Sequence, residues 1–126
     1  MAKAVISKEN YFTEVDLEFF RVMADEPESA GGKNKGPKPT ELLDAALASC
    51  TSITLKMYAD RKEWNLGELS VEVKRINRAN GSTYFKIRLA SSENLSKEQK
   101  DKLLEISEKC PVHKLLNQNE MKTEWV

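Results

Sequence analysis

Two cysteines, Cys50 and Cys110, are the chain's clearest candidates for covalent chemistry, and the only histidine, His113, stands three residues after the second. A thiolate is a nucleophile that oxygen donors oxidise to a sulfenic acid, and a second thiol converts that acid to a disulfide. A pair therefore supports a redox cycle that one cysteine cannot close. Two cysteines are too few for a secreted disulfide scaffold, and in reducing cytosol any bond between them is transient and chemical rather than structural. Their surroundings differ. Cys110 precedes Pro111 at a predicted helix start, where unpaired backbone N–H groups stabilise a thiolate, whereas Cys50 falls in an apolar helix that raises its pKa unless a cation reaches it. His113, Arg21 and Lys35 are the candidate activating groups.

Other chemistries fit less well. Cys50, Cys110 and His113 give three nitrogen or sulfur ligands, one fewer than a closed structural zinc site needs, so neither a metal nor any other cofactor is expected. Gly31, Gly32 and Gly36 match neither nucleotide-binding glycine fingerprint, and no GxSxG elbow is present. The charge balance, 20 Lys plus Arg against 20 Asp plus Glu, provides no clustered basic excess for nucleic acid. No apolar run approaches the roughly 20 residues of a membrane span, and no basic head with an apolar core opens the chain. These features predict a soluble cytoplasmic protein.

The elements that must position the thiols read as α+β within one domain, residues 1–126. Val, Ile, Phe, Tyr and Thr dominate Ala2 to Ala24, predicting two or three antiparallel strands. Asp25 to Pro39 carries three glycines and three prolines without periodicity, and loops of this length are more often functional or mobile than mere connectors. Thr40 is the predicted N-cap of a helix continuing to about Lys62, with Glu41 and Asp44 in its first turn. At about 100° per residue, Leu42, Leu43, Ala46, Leu47, Cys50, Ile53 and Met57 share an apolar stripe on it. The first half of this helix is apolar nearly all round, more than one sheet covers, so a partner subunit is expected. Leu66 to Arg78 and Ser82 to Ala90 flank Ala79-Asn80-Gly81 as a hairpin. Ser96 and Gln99 form a capping box opening a helix to about Lys109, with Cys110 on its coreward face. Pro111 then starts a short helix through Leu116, and Met121 to Val126 reads as a strand.

These blocks resemble the OsmC-like proteins, relatives of organic hydroperoxide reductase. The resemblance is carried by Asp25-Glu26-Pro27, Gly31-Gly32, Gly36-Pro37-Lys38-Pro39-Thr40-Glu41-Leu42-Leu43, Ala45-Ala46-Leu47-Ala48-Ser49-Cys50, Met57-Tyr58-Ala59-Asp60-Arg61-Lys62 and Cys110-Pro111-Val112-His113. It implies an intertwined homodimer with long central helices packed between curved antiparallel sheets and a site at the interface. By the same resemblance Cys50 attacks an organic hydroperoxide, Cys110 resolves the sulfenic acid to a disulfide, and an external dithiol clears it. The hydroperoxide's apolar part is expected along Leu43, Ala46, Leu47 and Met57 of facing subunits. The family's glutamate ten residues before the first cysteine falls here on Thr40, and its arginine has only Arg21 as a counterpart. Two rivals follow from the same residues: a dimer that binds a small hydrophobic ligand with inert thiols, and ester hydrolysis by Cys50 with His113.

Overall fold

The structure, a computed structural model, describes residues 1–117. The described residues form two compact units, residues 1–43 and residues 44–117.

The first unit is built on β1 (Lys3–Ile6), β2 (Thr13–Asp16) and β3 (Arg21–Ala24), a three-stranded antiparallel sheet in sequence order. Thr13 pairs with both Ile6 and Ala24, which fixes the register from both sides. The segment after β3 contains one short 3₁₀ turn, Glu28–Ala30, and is organised around Asp25. This side chain is 2% exposed and accepts from the backbone N–H groups of Glu26 (2.8 Å), Lys33 (3.3 Å) and Lys35 (3.1 Å). Those three donors hold the carboxyl below the usual carboxylate range, led by the Lys35 amide and against the opposing effect of burial. The lack of sequence periodicity therefore conceals a wound loop ordered by this carboxylate together with backbone bonds such as those from the Gly32 amide to Pro27 O and the Asn34 amide to Glu26 O.

Helix α1 (Pro39–Arg61) carries the chain from the first unit into the second. The predicted cap needs correction. Lys38, not Thr40, is the N-cap, since its carbonyl accepts from Glu41 (2.9 Å) and Leu42 (3.2 Å). Pro39 occupies the first helical position, where its missing N–H is harmless, and the Glu41 carboxylate accepts from the Lys38 amide at 2.9 Å. Glu41 thus works as the returning half of a capping box as well as through its charge.

In the second unit, β4 (Leu69–Asn77) and β5 (Thr83–Ser91) form the expected antiparallel hairpin. Val71 faces Leu89, Val73 faces Ile87 and Arg75 faces Phe85 on its half-buried side. Arg75 donates from Nε to both Asp44 oxygens, at 2.8 and 3.1 Å, tying the hairpin to α1. Helix α2 (Lys97–Ser107) opens with both arms of the Ser96–Gln99 capping box in place, and α3 (Pro111–Asn117) follows after the break. The core is Leu55, Ala59, Leu66, Leu103 and Ile106, rimmed by Tyr58, Trp64, Leu69, Leu89 and Leu95. The predicted strand from Met121 to Val126 lies outside the described residues.

The buried stripe of α1 is Leu47, Thr51, Leu55 and Ala59, spaced four residues apart. The stripe expected from the sequence lies largely on the other side of the helix: Leu43, Ala46, Ile53 and Met57 are exposed, with Met57 at 62%. Only Leu47 belongs to both. A helix apolar on most of its circumference does not reveal which stripe its own chain will cover, because hydrophobic burial is non-directional.

Candidate functional site

The two cysteines meet. Cys50 lies on α1, half-buried, on the edge of the Thr51 stripe, and Cys110 is fully buried. Cys110 lies beyond the end of α2, which stops at Ser107, rather than on its coreward face. It is the N-cap of α3, its carbonyl accepting from the Lys114 amide at 3.1 Å. From there its side chain lies close enough to that of Cys50 for each sulfur to shift the other's pKa. The α2-to-α3 break at Pro111 is what delivers this sulfur to α1, since a continued α2 would carry Cys110 onward along its own axis.

The two thiols are electrostatically unlike. Burial pushes the Cys50 thiol above its ordinary value, and the adjoining Cys110 sulfur adds to this; the Val112 amide and the Thr54 hydroxyl oppose it without prevailing. Burial also acts upward on Cys110, but it is outweighed by hydrogen bonds from the Cys50 side chain, the His113 amide, the Thr51 hydroxyl and the Val112 amide. The Cys110 thiol therefore falls below its ordinary value. This is the ordering expected from an apolar mid-helix cysteine and a cysteine beside free backbone N–H groups.

Two of the three candidate activating side chains, Arg21 and Lys35, are paired with carboxylates of the first unit. Arg21 on β3 donates from Nε to Asp16 Oδ1 at 2.6 Å and lies 3.7 Å from Glu14, bonds that raise its pKa further and keep it charged. Lys35 pairs with Glu9 at 3.3 Å and sits over the Phe12 ring. Both belong to the first unit and both pairs are exposed. His113 contributes its backbone amide to Cys110, and its side chain lines a cavity of about 300 Å³ with Leu47, Tyr84, Phe85, Ile87 and Leu116. Met57 lines a separate cavity of about 380 Å³ with Ser52, Ile53, Lys56, Gly67 and Leu69. Neither of these two cavities includes Leu43 or Ala46.

Sequence reasoning missed Thr51. Its position next to Cys50 was visible, but a threonine inside an apolar helix reads as a helix residue bonding back to its own backbone. Among the described residues, no group of three or more His, Cys, Asp or Glu is arranged to hold a metal ion.

The family model described as OsmC-like protein matches residues 32–126, three quarters of the chain and both cysteines. The chain belongs to the OsmC-like family. Its fold is that of solved OsmC-like structures. One is a putative osmotic stress induced and detoxification response protein from Psychrobacter arcticus, 21% identical with a TM-score of 0.76, the match covering 90% of this chain and 85% of the other. An OsmC like protein from Mycoplasma pneumoniae is 20% identical with a TM-score of 0.72, covering 93% and 86%. An organic hydroperoxide resistance protein OsmC from Legionella pneumophila is 19% identical with a TM-score of 0.63, covering 90% and 85%. No curated protein sequence matches the chain. Among the described residues, no helix is long and apolar enough to cross a membrane.

Proposed function

We propose that this OsmC-like chain forms a homodimeric thiol-dependent reductase of organic hydroperoxides, each subunit contributing one domain with Cys50 as attacking sulfur and Cys110 as resolving sulfur. The observation that carries the reading is the proximity of the two thiols, each near enough to shift the other's pKa, which favours condensation of a sulfenic acid on one with the other. Family membership and the Legionella relative's description as an organic hydroperoxide resistance protein support the substrate class. Cys50 is the more accessible sulfur and so the one an incoming hydroperoxide meets. Its sulfur bonds to the distal peroxide oxygen as the O–O bond breaks, the alcohol leaves, and the sulfenic acid loses water on forming the disulfide. An external dithiol then takes the two oxidising equivalents.

The test is a thiol count after mixing reduced protein with tert-butyl hydroperoxide. Both thiols of each subunit disappear as the alcohol forms. Cys50→Ser abolishes turnover, and Cys110→Ser leaves one oxidation per subunit without recycling. Retention of both thiols, with no trappable sulfenate at Cys50, removes the proposal.

The ligand-binding reading has one observation in its favour, the raised Cys50 pKa, since a neutral thiol is a poor nucleophile. The proximity of the two sulfurs weighs against it, because inert thiols have no need to lie together.

A further inference from the structure

The turn between β4 and β5 carries the chain's only Asn-Gly pair, Asn80-Gly81. In such a pair the backbone nitrogen of the glycine can close a ring onto the carboxamide carbon of the asparagine, because no side chain stands in its path. Gly81 lies at φ +85°, and a side chain built on it would meet nothing within 4 Å. The Arg78 amide donates to Ser82 O at 2.8 Å and the Gly81 amide to Arg78 O at 3.0 Å, which closes the turn. The Asn80 carboxamide oxygen accepts two further bonds, from the Ser82 amide at 2.9 Å and from Ser82 Oγ at 2.7 Å. The first is the ordinary bond of an asparagine that opens a turn. The second is backed by a cation: Ser82 Oγ itself accepts from Arg78 Nη1 at 3.3 Å, and that guanidinium is seated over the Tyr84 ring at 4.4 Å. A positive charge thus polarises the asparagine carbonyl through a hydroxyl, and paired donors on a carbonyl oxygen are what stabilise the oxyanion formed when its carbon is attacked.

We propose that Asn80 is a site of spontaneous deamidation through a cyclic imide, with Ser82 and Arg78 as the positioning residues that stabilise the oxyanion on Oδ1. The Gly81 nitrogen gives up its proton and bonds to Asn80 Cγ, and the carbonyl electron pair moves onto Oδ1, where the Ser82 amide and hydroxyl donate to it. The pair then returns, the Cγ–Nδ2 bond breaks, and Nδ2 takes up a proton and leaves as ammonia. Water opens the imide at either carbonyl and leaves aspartate or isoaspartate at position 80. Nothing is oxidised or reduced; one water is consumed, one ammonia is released, and the chain gains a negative charge. The Gly81 amide must first let go of Arg78 O. Asn80, Gly81 and Ser82 are all exposed, and a single bond at an exposed turn opens at little cost. The two products differ in consequence. Aspartate keeps the acceptor and adds a charge that Ser82 and Arg78 can answer, whereas isoaspartate lengthens the main chain next to the Asn77–Thr83 pair at which β4 ends and β5 begins. No thiol takes part, so the site stands apart from the hydroperoxide reading.

The test is to hold the folded full-length protein at mildly alkaline pH and follow the Asn80 peptide by mass spectrometry, with released ammonia as a second readout. Asn80 converts to a mixture of aspartate and isoaspartate ahead of the chain's other asparagines. Ser82→Ala slows the conversion about tenfold or more, the worth of one hydrogen bond to a charged oxygen. Arg78→Gln, which keeps a donor without the charge, slows it as well. Neither substitution changes the rate in the urea-unfolded chain, where the turn is gone. A Ser82 that merely stiffened the turn would give the opposite sign, since Ser82→Ala would then free the Gly81 nitrogen and speed the reaction. Absence of conversion at Asn80 in the folded protein, or aspartate without isoaspartate, overturns the proposal. Equal or faster conversion in folded Ser82→Ala removes the positioning role, and an unmoved rate in Arg78→Gln removes the cation from it.

Discussion

Truncating two residues of α1 separately distinguishes the surface its own chain covers from the surface left for a partner. Leu55 is fully buried in the core with Ala59, Leu66, Leu103 and Ile106, whereas Met57, two residues on, is 62% exposed. Leu55→Ala removes buried carbon from a closed cluster and leaves a cavity, at a cost of about 3–5 kcal/mol. With an unfolding entropy of about 2.1 cal/mol/K per residue, that lowers Tm by about 10–20 °C. The loss is the same at any protein concentration, because the contacts lie within one chain. Met57→Ala should be nearly neutral in an isolated protomer. If a second copy covers the exposed stripe, each Met57 buries its remaining three fifths on association, worth about 1–2 kcal/mol at about 1.5–3 for a whole side chain. Two copies then give about 2–4 kcal/mol per dimer, weakening self-association roughly 30- to 1000-fold. Sedimentation equilibrium gives the dissociation constant, and urea unfolding at two protein concentrations a hundredfold apart gives the linkage. A parent midpoint independent of concentration, or Met57→Ala matching the parent throughout, refutes the covering of this stripe by a second copy and the homodimer with it. A Leu55→Ala cost below about 1 kcal/mol refutes the core assignment instead.

Two further expectations concern the loop and the second helix. Asp25 has a folded pKa below its unfolded value, so its contribution is present at neutral pH and is lost as acid carries the pH down through the folded value. Asp25→Asn replaces an acceptor oxygen with a donor and should destabilise the protein clearly at pH 7 and progressively less as the pH falls below the ordinary carboxylate range; an effect by thermal unfolding that stays constant across the acid range would contradict the charge-based account. Ser96→Ala removes the side chain that accepts from the Gln99 amide at 3.1 Å and should cost about 1 kcal/mol, or about 4 °C in Tm. No change in Tm would mean that the cap contributes nothing to global stability.

What was legible from the sequence was local. Ser96 and Gln99 announce the start of α2 because a capping box is satisfied within four residues, and Ala79-Asn80-Gly81 announces its hairpin for the same reason. The ordering of the two thiols was legible too, since it depends on backbone N–H groups immediately after Cys110 and on the apolar neighbours of Cys50. Failures occurred where the deciding partner is remote or the local signals compete. Thr40 looked like a cap, but Pro39 takes the first helical position and Glu41 reaches back to Lys38, an assignment that needs the path of the backbone before the helix. Asp25 ties together a loop whose composition suggests none of this order, because its donors are up to ten residues away and are backbone groups without a side-chain signature. The inner stripe of α1 was misread for a different reason. Leu47 and Leu55 are no more apolar than Leu43, Ile53 and Met57, so composition assigns no inside, and the hairpin and α2 decide it by where they pack. That same degeneracy hides Thr51, whose hydroxyl lies on the stripe the chain does bury and has no hydrogen-bond partner among the described residues, a cost that an apolar helix pattern does not announce.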